Sequence, residues 1–599
     1  MISQALRNTP ARLRTAGLTV ALALPLMVAA GSASAQAAAS RNQPQLSPEQ
    51  AQQALMFQLM MSELALQRGI PDAAYRSYLQ LAQDTGDPRM ARRAAEIALS
   101  QRAAVQTLDA VRLWIKLDPL DADANSTLTQ LLVETGKLSE AEAILAANIS
   151  ASADKAEAVD AVQRLLLRAP DKVEALATLT RLADPYKNLA MVRLSLARAA
   201  SAANDTDRAI AEARVALKRD PASETIVLTA AQLIARKSTS EAADVLGDFV
   251  KKHPKSSEAR LGYARALALD GQYAPAATAL QPLLDAEPDN LDALFTRASI
   301  AIGAKDEKGA EVALTRYLAA SDKAEAAEVD TPEGTSQLMG LRNDQRSAAV
   351  FMLAQLAEDA QRLDDAIAVL RRVDSDDTQY LQAQSRIARD LARQGKLADA
   401  RAMLAALPNE SPADRAQIAA AEAAILREAR QYDEAFSVLD KAVTASPDIP
   451  DLLYDYAMAA EKVNKLPEME KALRRVIELR PADAQSYNAL GYSLADRGQR
   501  LDEARVLIEK AVSLAPDDAF IRDSMGWVQY RVCNYPAAIA TLQQAYAQRP
   551  DAEIAAHLGE VLWVAGQRDE AEKLWRVARE RDPSNETLVE TLARLQIRI

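Results

Sequence analysis

The chain has 599 residues, with 71 lysines and arginines against 83 aspartates and glutamates, and it contains two histidines and one cysteine. The net charge of −12 argues against a nucleic-acid-binding protein, because phosphate contacts need a basic surface. Eighteen glycines and 25 prolines are few for this length, while 49% of the residues are apolar. This composition favours helices over sheets.

The first 35 residues have the pattern of a secretory signal peptide. Three arginines precede the apolar run 16–30, and Ala33-Ser34-Ala35 supplies the small side chains that a signal peptidase requires. The run is shorter than the roughly 20 residues of a membrane span, so cleavage is favoured over retention as an anchor. Because the cysteine is Cys533, the signal region offers no cysteine for lipid attachment. We therefore expect export to the periplasm without an integral membrane span.

A flexible tail is expected over 36–45, followed by an N-terminal helical array over 46–320 that begins with a methionine-rich helix. Leu55-Met56-Phe57 and Leu59-Met60-Met61 make this helix apolar on most sides. Methionine is an adaptable side chain that is common at partner surfaces. No earlier helix precedes it in the array, so two interpretations stay open. Either 46–66 folds back as an end cap, or a partner protein or a second copy covers it.

Mostly small residues recur along the chain at intervals of 33 to 35 residues. Such a period is typical of helical hairpins, in which a small side chain lets two helices approach closely and each hairpin needs a neighbour to cover its other side. Prolines at the ends of the last three units support the same period: Pro516, Pro550 and Pro583. The spaced series comprises Ala74, Thr107 and Ala141, then Ala209, Ala242, Ala276 and Ala310, then Ala366, Ala400, Ala435, Met469, Ala504, Ala538 and Ala571.

Two segments interrupt the series. The segment 142–208 has room for two repeats and a helical period, but it lacks the glycine and proline marks, so we interpret it as helical and degenerate. The acidic segment 321–345 contains Asp330-Thr331-Pro332-Glu333-Gly334, which is turn chemistry and predicts a linker or a long loop. A C-terminal array follows over 346–599. It ends in a helix near Asn585 to Leu595 with Ser584 or Asn585 as its N-cap.

Units of about 34 residues with Gly, Ala, Ala and Pro at these places resemble tetratricopeptide repeats (TPRs). The resemblance implies an all-α solenoid of helical hairpins, wound as a right-handed superhelix and closed by a capping helix. It also implies that the first helix of each hairpin lines a concave groove for proteins or peptides. The alternative is that some of the aromatic rings at groove positions only pack between adjacent helices. The groove positions of the last three repeats are Gln485, Asn488 and Tyr492, then Phe520, Asp523, Trp527, Tyr530 and Arg531, then Glu553, Ala556, Glu560 and Trp563. The partner-binding candidates among them are Tyr492, Phe520, Asp523, Trp527, Tyr530, Arg531, Glu560 and Trp563.

Motifs for catalysis or cofactor binding are missing from the sequence. It has no phosphate-binding loop, dinucleotide fingerprint or zinc-protease motif, and two histidines cannot build a histidine metal cluster. Cys533 stands where related repeats carry glycine, and His557 is interpreted as a packing or solvated side chain. We therefore expect no enzyme, no cofactor and no metal. The Lys and Asn pattern of a carboxylate-binding TPR clamp is also absent, because Asn488 and Tyr492 occupy its first positions.

Two parts of the chain resemble a narrower group of exported TPR proteins. The first is Glu63 to Gly69 together with Leu113 to Pro119, and the second is Asp523 to Trp527 together with Ala555 to Trp563. Both are similar to the LbcA lipoprotein adaptors that partner a periplasmic carboxyl-terminal processing protease. The resemblance implies an adaptor that delivers peptidoglycan hydrolases to such a protease, although this chain lacks the lipidated cysteine. The alternative is a structural component of an envelope secretion or polysaccharide-export complex.

Overall fold

The computed structural model describes residues 47–328 and 336–599, and within these ranges the regular structure is helical with no strand. The all-α prediction is therefore confirmed. The expected signal peptide 1–35 and tail 36–45 lie outside the described residues, as does the turn sequence 330–334. No helix in the described ranges is both long enough and apolar enough for a membrane crossing.

The chain divides after Ala209 into two compact units. Each is a succession of antiparallel helices of mostly 11 to 15 residues joined by short turns. The first unit contains α1 Pro48–Gln67, α2 Pro71–Thr85, α3 Pro88–Ser100, α4 Ala104–Leu117, α5 Ala122–Glu134, α6 Leu138–Ala151, α7 Lys155–Leu166, α8 Lys172–Ala183, a 3₁₀ turn Asp184–Tyr186, α9 Ala190–Ala202 and the beginning of α10 Thr206–Arg219.

The second unit continues the same alternation to the C-terminal capping helix. Its helices are α11 Glu224–Ile234, α12 Thr239–Lys252, α13 Ser257–Leu269, α14 Tyr273–Ala286, α15 Leu291–Gly303, α16 Glu307–Glu328, α17 Ser336–Asp359, α18 Leu363–Leu370, α19 Tyr380–Arg393, α20 Leu397–Ala405, α21 Pro412–Glu428, α22 Tyr432–Ala445, α23 Pro450–Lys462, α24 Leu466–Leu479, α25 Ala484–Asp496, α26 Leu501–Leu514, α27 Ala519–Arg531, α28 Tyr535–Gln548, α29 Ala552–Val564, α30 Arg568–Arg581 and α31 Glu586–Arg594.

The residues of the spaced series all lie near the start of even-numbered helices, and all of them are buried. They stand where the second helix of each hairpin meets the first, and all except Thr107 and Met469 are alanine, whose small side chain lets the two helices approach closely. The predicted repeat register is therefore confirmed. The predicted capping helix is also present as α31. Asn585 is its N-cap, since its side chain accepts a hydrogen bond from the Leu588 backbone N–H at 3.0 Å.

The segment 142–208 keeps the repeat register although its sequence marks are missing. Ala175 is buried in α8 and lies 34 residues from both Ala141 and Ala209. The period is hard to see in the sequence because this segment contains many alanines, so Ala175 does not stand out as the repeat position. A further helix pair, α7 with α8, thus lies between α6 and α9 in the chain.

Helix occupies most of 321–345, where the sequence analysis expects a linker or loop. α16 and α17 have 22 and 24 residues and extend into this segment from both sides. The stretch 319–328 consists mainly of alanine, glutamate and lysine, which are strong helix formers, and this local preference outweighs the polar composition. The excess length between Ala310 and Ala366 therefore comes largely from longer helices.

Asp390 on α19 is a buried carboxylate that we expect to destabilise the fold when ionised. Burial, together with repulsion from Glu358, raises the pKa of Asp390 to about 6. Arg386 and Arg389 pair with Glu358 at 2.7 and 3.2 Å, whereas Arg393 stays 3.6 Å from Asp390. A raised carboxyl pKa means that stability falls as pH rises through about 4 to 6. Asp390→Asn should therefore raise the free energy of unfolding by roughly 1 to 3 kcal/mol at pH 8, and very little at pH 4.

Urea unfolding of both proteins at the two pH values measures this difference. Asp359→Asn on α17 is the control, because it also removes one carboxylate charge but from an exposed side chain. Asp359 accepts a hydrogen bond from the Gln355 side chain on the helix surface at 2.8 Å. This control substitution should have no effect that depends on pH. Equal gains at pH 4 and pH 8 for Asp390→Asn would contradict the expectation.

Candidate protein-binding groove

The first helices of the last hairpins, α23, α25, α27 and α29, bring the predicted site residues together. Glycine allows each of the last three to pack against its second helix. A Cβ atom on Gly491 would lie 2.6 Å from Ile508, and one on Gly526 would lie 2.5 Å from Leu542. On Gly559 it would lie 2.2 Å from Trp575. These close contacts fix the orientation of the first helices, whose side chains line a common pocket.

Trp527 is covered by neighbouring helices rather than presented at the groove surface. Its indole Nε1–H donates to Asp496 Oδ1 at 3.2 Å, and its ring stacks on His557 with centroids 4.4 Å apart. The Tyr530 ring lies 5.0 Å away. The Trp527 ring therefore packs between adjacent helices, as the alternative interpretation describes, and it stabilises the wall of the groove.

His557 connects three consecutive first helices inside this wall. Its Nδ1 lies 2.7 Å from Asp523 Oδ2 on α27, and its Nε2 lies 3.2 Å from the Tyr492 hydroxyl on α25. Burial lowers the pKa of His557, but attraction to the Asp523 carboxylate and the hydrogen bond with it raise the pKa, and the net shift is upward. Burial also raises the pKa of Tyr492. The histidine is therefore a buried packing residue with a strong polar anchor.

Glu560 ties the capping helix to the same wall. The Tyr530 hydroxyl donates to Glu560 Oε1 at 3.1 Å, and Arg594 of α31 forms an ion pair with the other carboxylate oxygen. Burial, followed by repulsion from Glu560, raises the pKa of Tyr530 to about 12. Glu560 is itself buried, so it acts within the wall. The cap thus participates in the groove structure in addition to covering the last hairpin.

The other predicted residues lie nearer the surface. Arg531 donates to the backbone carbonyl of Asp496. Trp563 is partly exposed beneath the Arg568 guanidinium, 4.9 Å from the ring centroid. Phe520 is 36% exposed and has Arg549 stacked 4.8 Å from its centroid. Phe520 is thus the most accessible aromatic ring of the predicted set.

A pocket in the groove joins five of the predicted groove positions, Asn488 and Glu553 among them, to four residues outside that set. It is lined by Met458, Glu461, Asn488, Ala489, Tyr492, Phe520, Asp523, Ser524 and Glu553. Glu461 comes from α23, one hairpin before those used for the prediction. It lies four residues after Ala457, which holds the place of glycine in its repeat, so extending the register by one unit would have found it. No cluster of three or more His, Cys, Asp or Glu side chains suited to a metal ion occurs in the described ranges.

Comparison with known proteins supports the repeat assignment. The family model for the tetratricopeptide repeat matches residues 233–280, 454–519 and 524–586. The TPR repeat-containing protein PA4667 of Pseudomonas aeruginosa is 30% identical over 507 residues, which are 84% of this chain and 82% of that protein.

Two solved TPR proteins are similar over shorter parts of the chain. The thermophilic TPR protein TTC0263 from Thermus thermophilus is 23% identical with a TM-score of 0.28, over 30% of this chain and 100% of its own. A tetratricopeptide repeat protein from Parabacteroides merdae is 15% identical with a TM-score of 0.33, over 41% of this chain and 97% of its own. The family model and the long relative, together with the repeat geometry, lead to one assignment: the chain belongs to the tetratricopeptide repeat family.

Proposed function

We propose that this chain is a non-enzymatic adaptor that binds proteins at separate surfaces. The observation that carries the proposal is an exposed apolar face on α1. Met56, Phe57, Met60 and Met61 are 59%, 63%, 63% and 48% exposed, respectively. Residues with this spacing share one face of a helix, and a contiguous exposed apolar patch is typical of an interaction site. Residues 46–66 could act as an end cap or could be covered by a partner. The exposure of this apolar face favours the second interpretation.

The position of α1 is fixed by polar contacts beside its apolar face. The Tyr78 hydroxyl donates to Glu63 at 2.7 Å, and Arg93 pairs with Glu63 at 3.2 Å. The first of these hydrogen bonds is also the largest cause of the lowered pKa of Glu63. The apolar face is therefore presented by a helix that is anchored to α2 and α3, which reduces the ordering cost of binding.

The groove pocket belongs to the second unit, so the chain has protein-binding candidates in both units. Two parts of the chain resemble the LbcA adaptors. In an adaptor of that kind, one partner is a carboxyl-terminal processing protease and the other is a peptidoglycan hydrolase. Holding both on one chain raises their effective concentration to about millimolar when the geometry allows it. The proposed location is the periplasm, reached through the signal peptide 1–35.

A photo-crosslinking amino acid at position 57, introduced in the native host, tests which proteins bind. Recovery of a serine protease of the carboxyl-terminal processing class, with peptidoglycan hydrolases as co-purified proteins, supports the proposal. Recovery of a secretion pore or a polysaccharide synthase supports the structural alternative and contradicts protease delivery.

The double substitution Phe57→Ala and Met60→Ala should weaken binding of the captured partner by at least about tenfold. This corresponds to roughly 1.4 kcal/mol, a modest loss for two exposed side chains at the centre of an interface. Isothermal titration with the purified partner measures the change. Val105→Ala on α4 removes apolar surface from a side chain that is 76% exposed, and it should leave affinity unchanged. Equal losses in both proteins would contradict the α1 assignment.

A further inference from the structure

The groove pocket between α23, α25, α27 and α29 has an excess of negative charge. Glu461, Asp523 and Glu553 line it from three different helices. Burial raises the pKa of Glu461 and of Glu553, and the Asp523 carboxylate contributes to the second shift. The nearby Lys462 is outside the pocket lining and pairs with Glu586 of α31 at 3.3 Å. His557 pairs with Asp523, so Glu461 and Glu553 are the lining carboxylates whose ionised forms lack an ion-pair partner within the described residues.

Two residues that line the pocket each have a buried acceptor atom without a hydrogen-bond partner within the described chain: Asn488 Oδ1 on α25 and Asp523 Oδ1 on α27. Asp523 is only 3% exposed, and its other carboxylate oxygen is engaged by His557. A buried acceptor without a partner is unfavourable, because it has lost its hydrogen bonds to water and gained none in the protein. A ligand that brings hydrogen-bond donors into the pocket would offset this cost, and a cationic donor would also interact with the carboxylates.

The apolar part of the lining indicates what the cation is attached to. Met458, Ala489 and Phe520 form walls beside the polar atoms. Lysine and arginine side chains bury an aliphatic stem along apolar surface and place a charged head among acceptors. A metal ion would leave these walls unused, and the described residues contain no arrangement suited to one.

We infer that this pocket receives an arginine or lysine side chain of a protein partner. Its charged head donates to Asn488 Oδ1 and Asp523 Oδ1, and its stem lies against Met458 and Phe520. The inference rests on the proposed protein-binding function and adds the chemistry of one partner residue. It also gives Asp523 a second role, because the carboxylate that holds His557 also faces the incoming cation.

Fluorescence anisotropy with the full chain and a defined peptide tests this inference. The probe is a fluorescein-labelled, amidated peptide of alternating leucine and arginine, and its control is the same peptide with citrulline, which is neutral and nearly isosteric, in place of arginine. The arginine peptide should bind at least about tenfold more tightly, as expected for a charged partner in a desolvated site. A lysine peptide distinguishes the planar guanidinium from the ammonium group.

Substitutions in the pocket separate specific binding from general attraction to an acidic protein. Asn488→Asp should tighten binding of the arginine peptide about threefold or more, because it adds a carboxylate beside the cation. Glu553→Gln should weaken binding by a similar factor with little change in shape. Glu509→Gln on α26 removes one charge from an exposed side chain outside the pocket and should leave affinity unchanged. Circular dichroism confirms that each variant remains helical.

The inference is overturned if the arginine and citrulline peptides bind equally. It is also overturned if Asn488→Asp and Glu553→Gln affect binding no more than Glu509→Gln does. Either result would leave partner capture at position 57 unaffected, so failure of this inference is distinguishable from failure of the proposed function. If no partner is captured at position 57 but the pocket variants behave as expected, the proposed function fails and the inference about the pocket stands.

Discussion

Gly559→Ala should lower the free energy of unfolding of the second unit by about 3 kcal/mol. A Cβ atom at this position would lie 2.2 Å from Trp575 Nε1 and 2.4 Å from its Cε2. Trp575 is fully buried and its Nε1–H donates to the Ala556 carbonyl at 3.4 Å, so the ring has no free space into which it can move. Overpacking of this kind costs about 1 to 3 kcal/mol, and the rigid ring places this site at the upper end. Urea unfolding followed by tryptophan fluorescence measures the loss.

Gly262→Ala is the matched control for this substitution. Gly262 also lies in a first helix, α13, but a Cβ atom there would be 3.4 Å from Leu228, which is an ordinary contact. The better helix propensity of alanine should therefore stabilise the chain by up to about 1 kcal/mol. Combining Gly559→Ala with Trp575→Phe should recover part of the loss, because the smaller ring leaves room for the methyl group. Similar losses for both alanine variants would show that close helix approach does not determine stability here.

Asp523→Ala should cost roughly 1 to 3 kcal/mol at pH 6, because it removes the carboxylate that stabilises protonated His557 and leaves the imidazole N–H without an acceptor. The penalty should decrease as pH rises. The pKa of His557 is raised in the folded chain, so its stabilisation is fully present below the unfolded value of 6.5 and is lost as pH rises through the folded value. Urea unfolding of the natural chain and the variant from about pH 5.5 to 9 gives the difference at each pH.

A double-mutant cycle with His557→Asn tests the origin of this pH dependence. Other buried carboxyl groups titrate in all four proteins, so their contributions largely cancel in the coupling energy. We expect strong coupling between Asp523 and His557 at pH 6 and weaker coupling at pH 9. A coupling energy that does not change with pH would mean that His557 is neutral throughout and would contradict the charged pair.

The fold could be predicted further than the site because repeats depend on a local steric requirement. A small residue is needed wherever two helices of a hairpin touch, and its period is visible in the sequence. Ala175 was missed because it lies in an alanine-rich segment. The polar composition and turn motif of 321–345 predict a linker, but the helix preference of the surrounding residues decides the structure over most of this segment.

The register places the predicted residues on first helices, where the structure also has them, but their burial could not be read from the register. The register says which side of a first helix a residue occupies, and Trp527 lies on that side. It does not say whether the next first helix covers the residue, as His557 does here. A clue was nevertheless present, because Asp523 and His557 are 34 residues apart. Residues separated by one repeat length stand side by side on adjacent first helices, so complementary pairs at that separation are candidates for contact.

The contact of His557 with both Asp523 and Tyr492 also constrains how this array can change over evolution. Solenoid repeats usually interact through similar interfaces, so a unit can be duplicated or deleted with limited disruption. Here three successive units contribute different members of one hydrogen-bonded chain. Deleting or inserting a hairpin between α25 and α29 would separate those members, so we expect the number and order of these units to be inherited together.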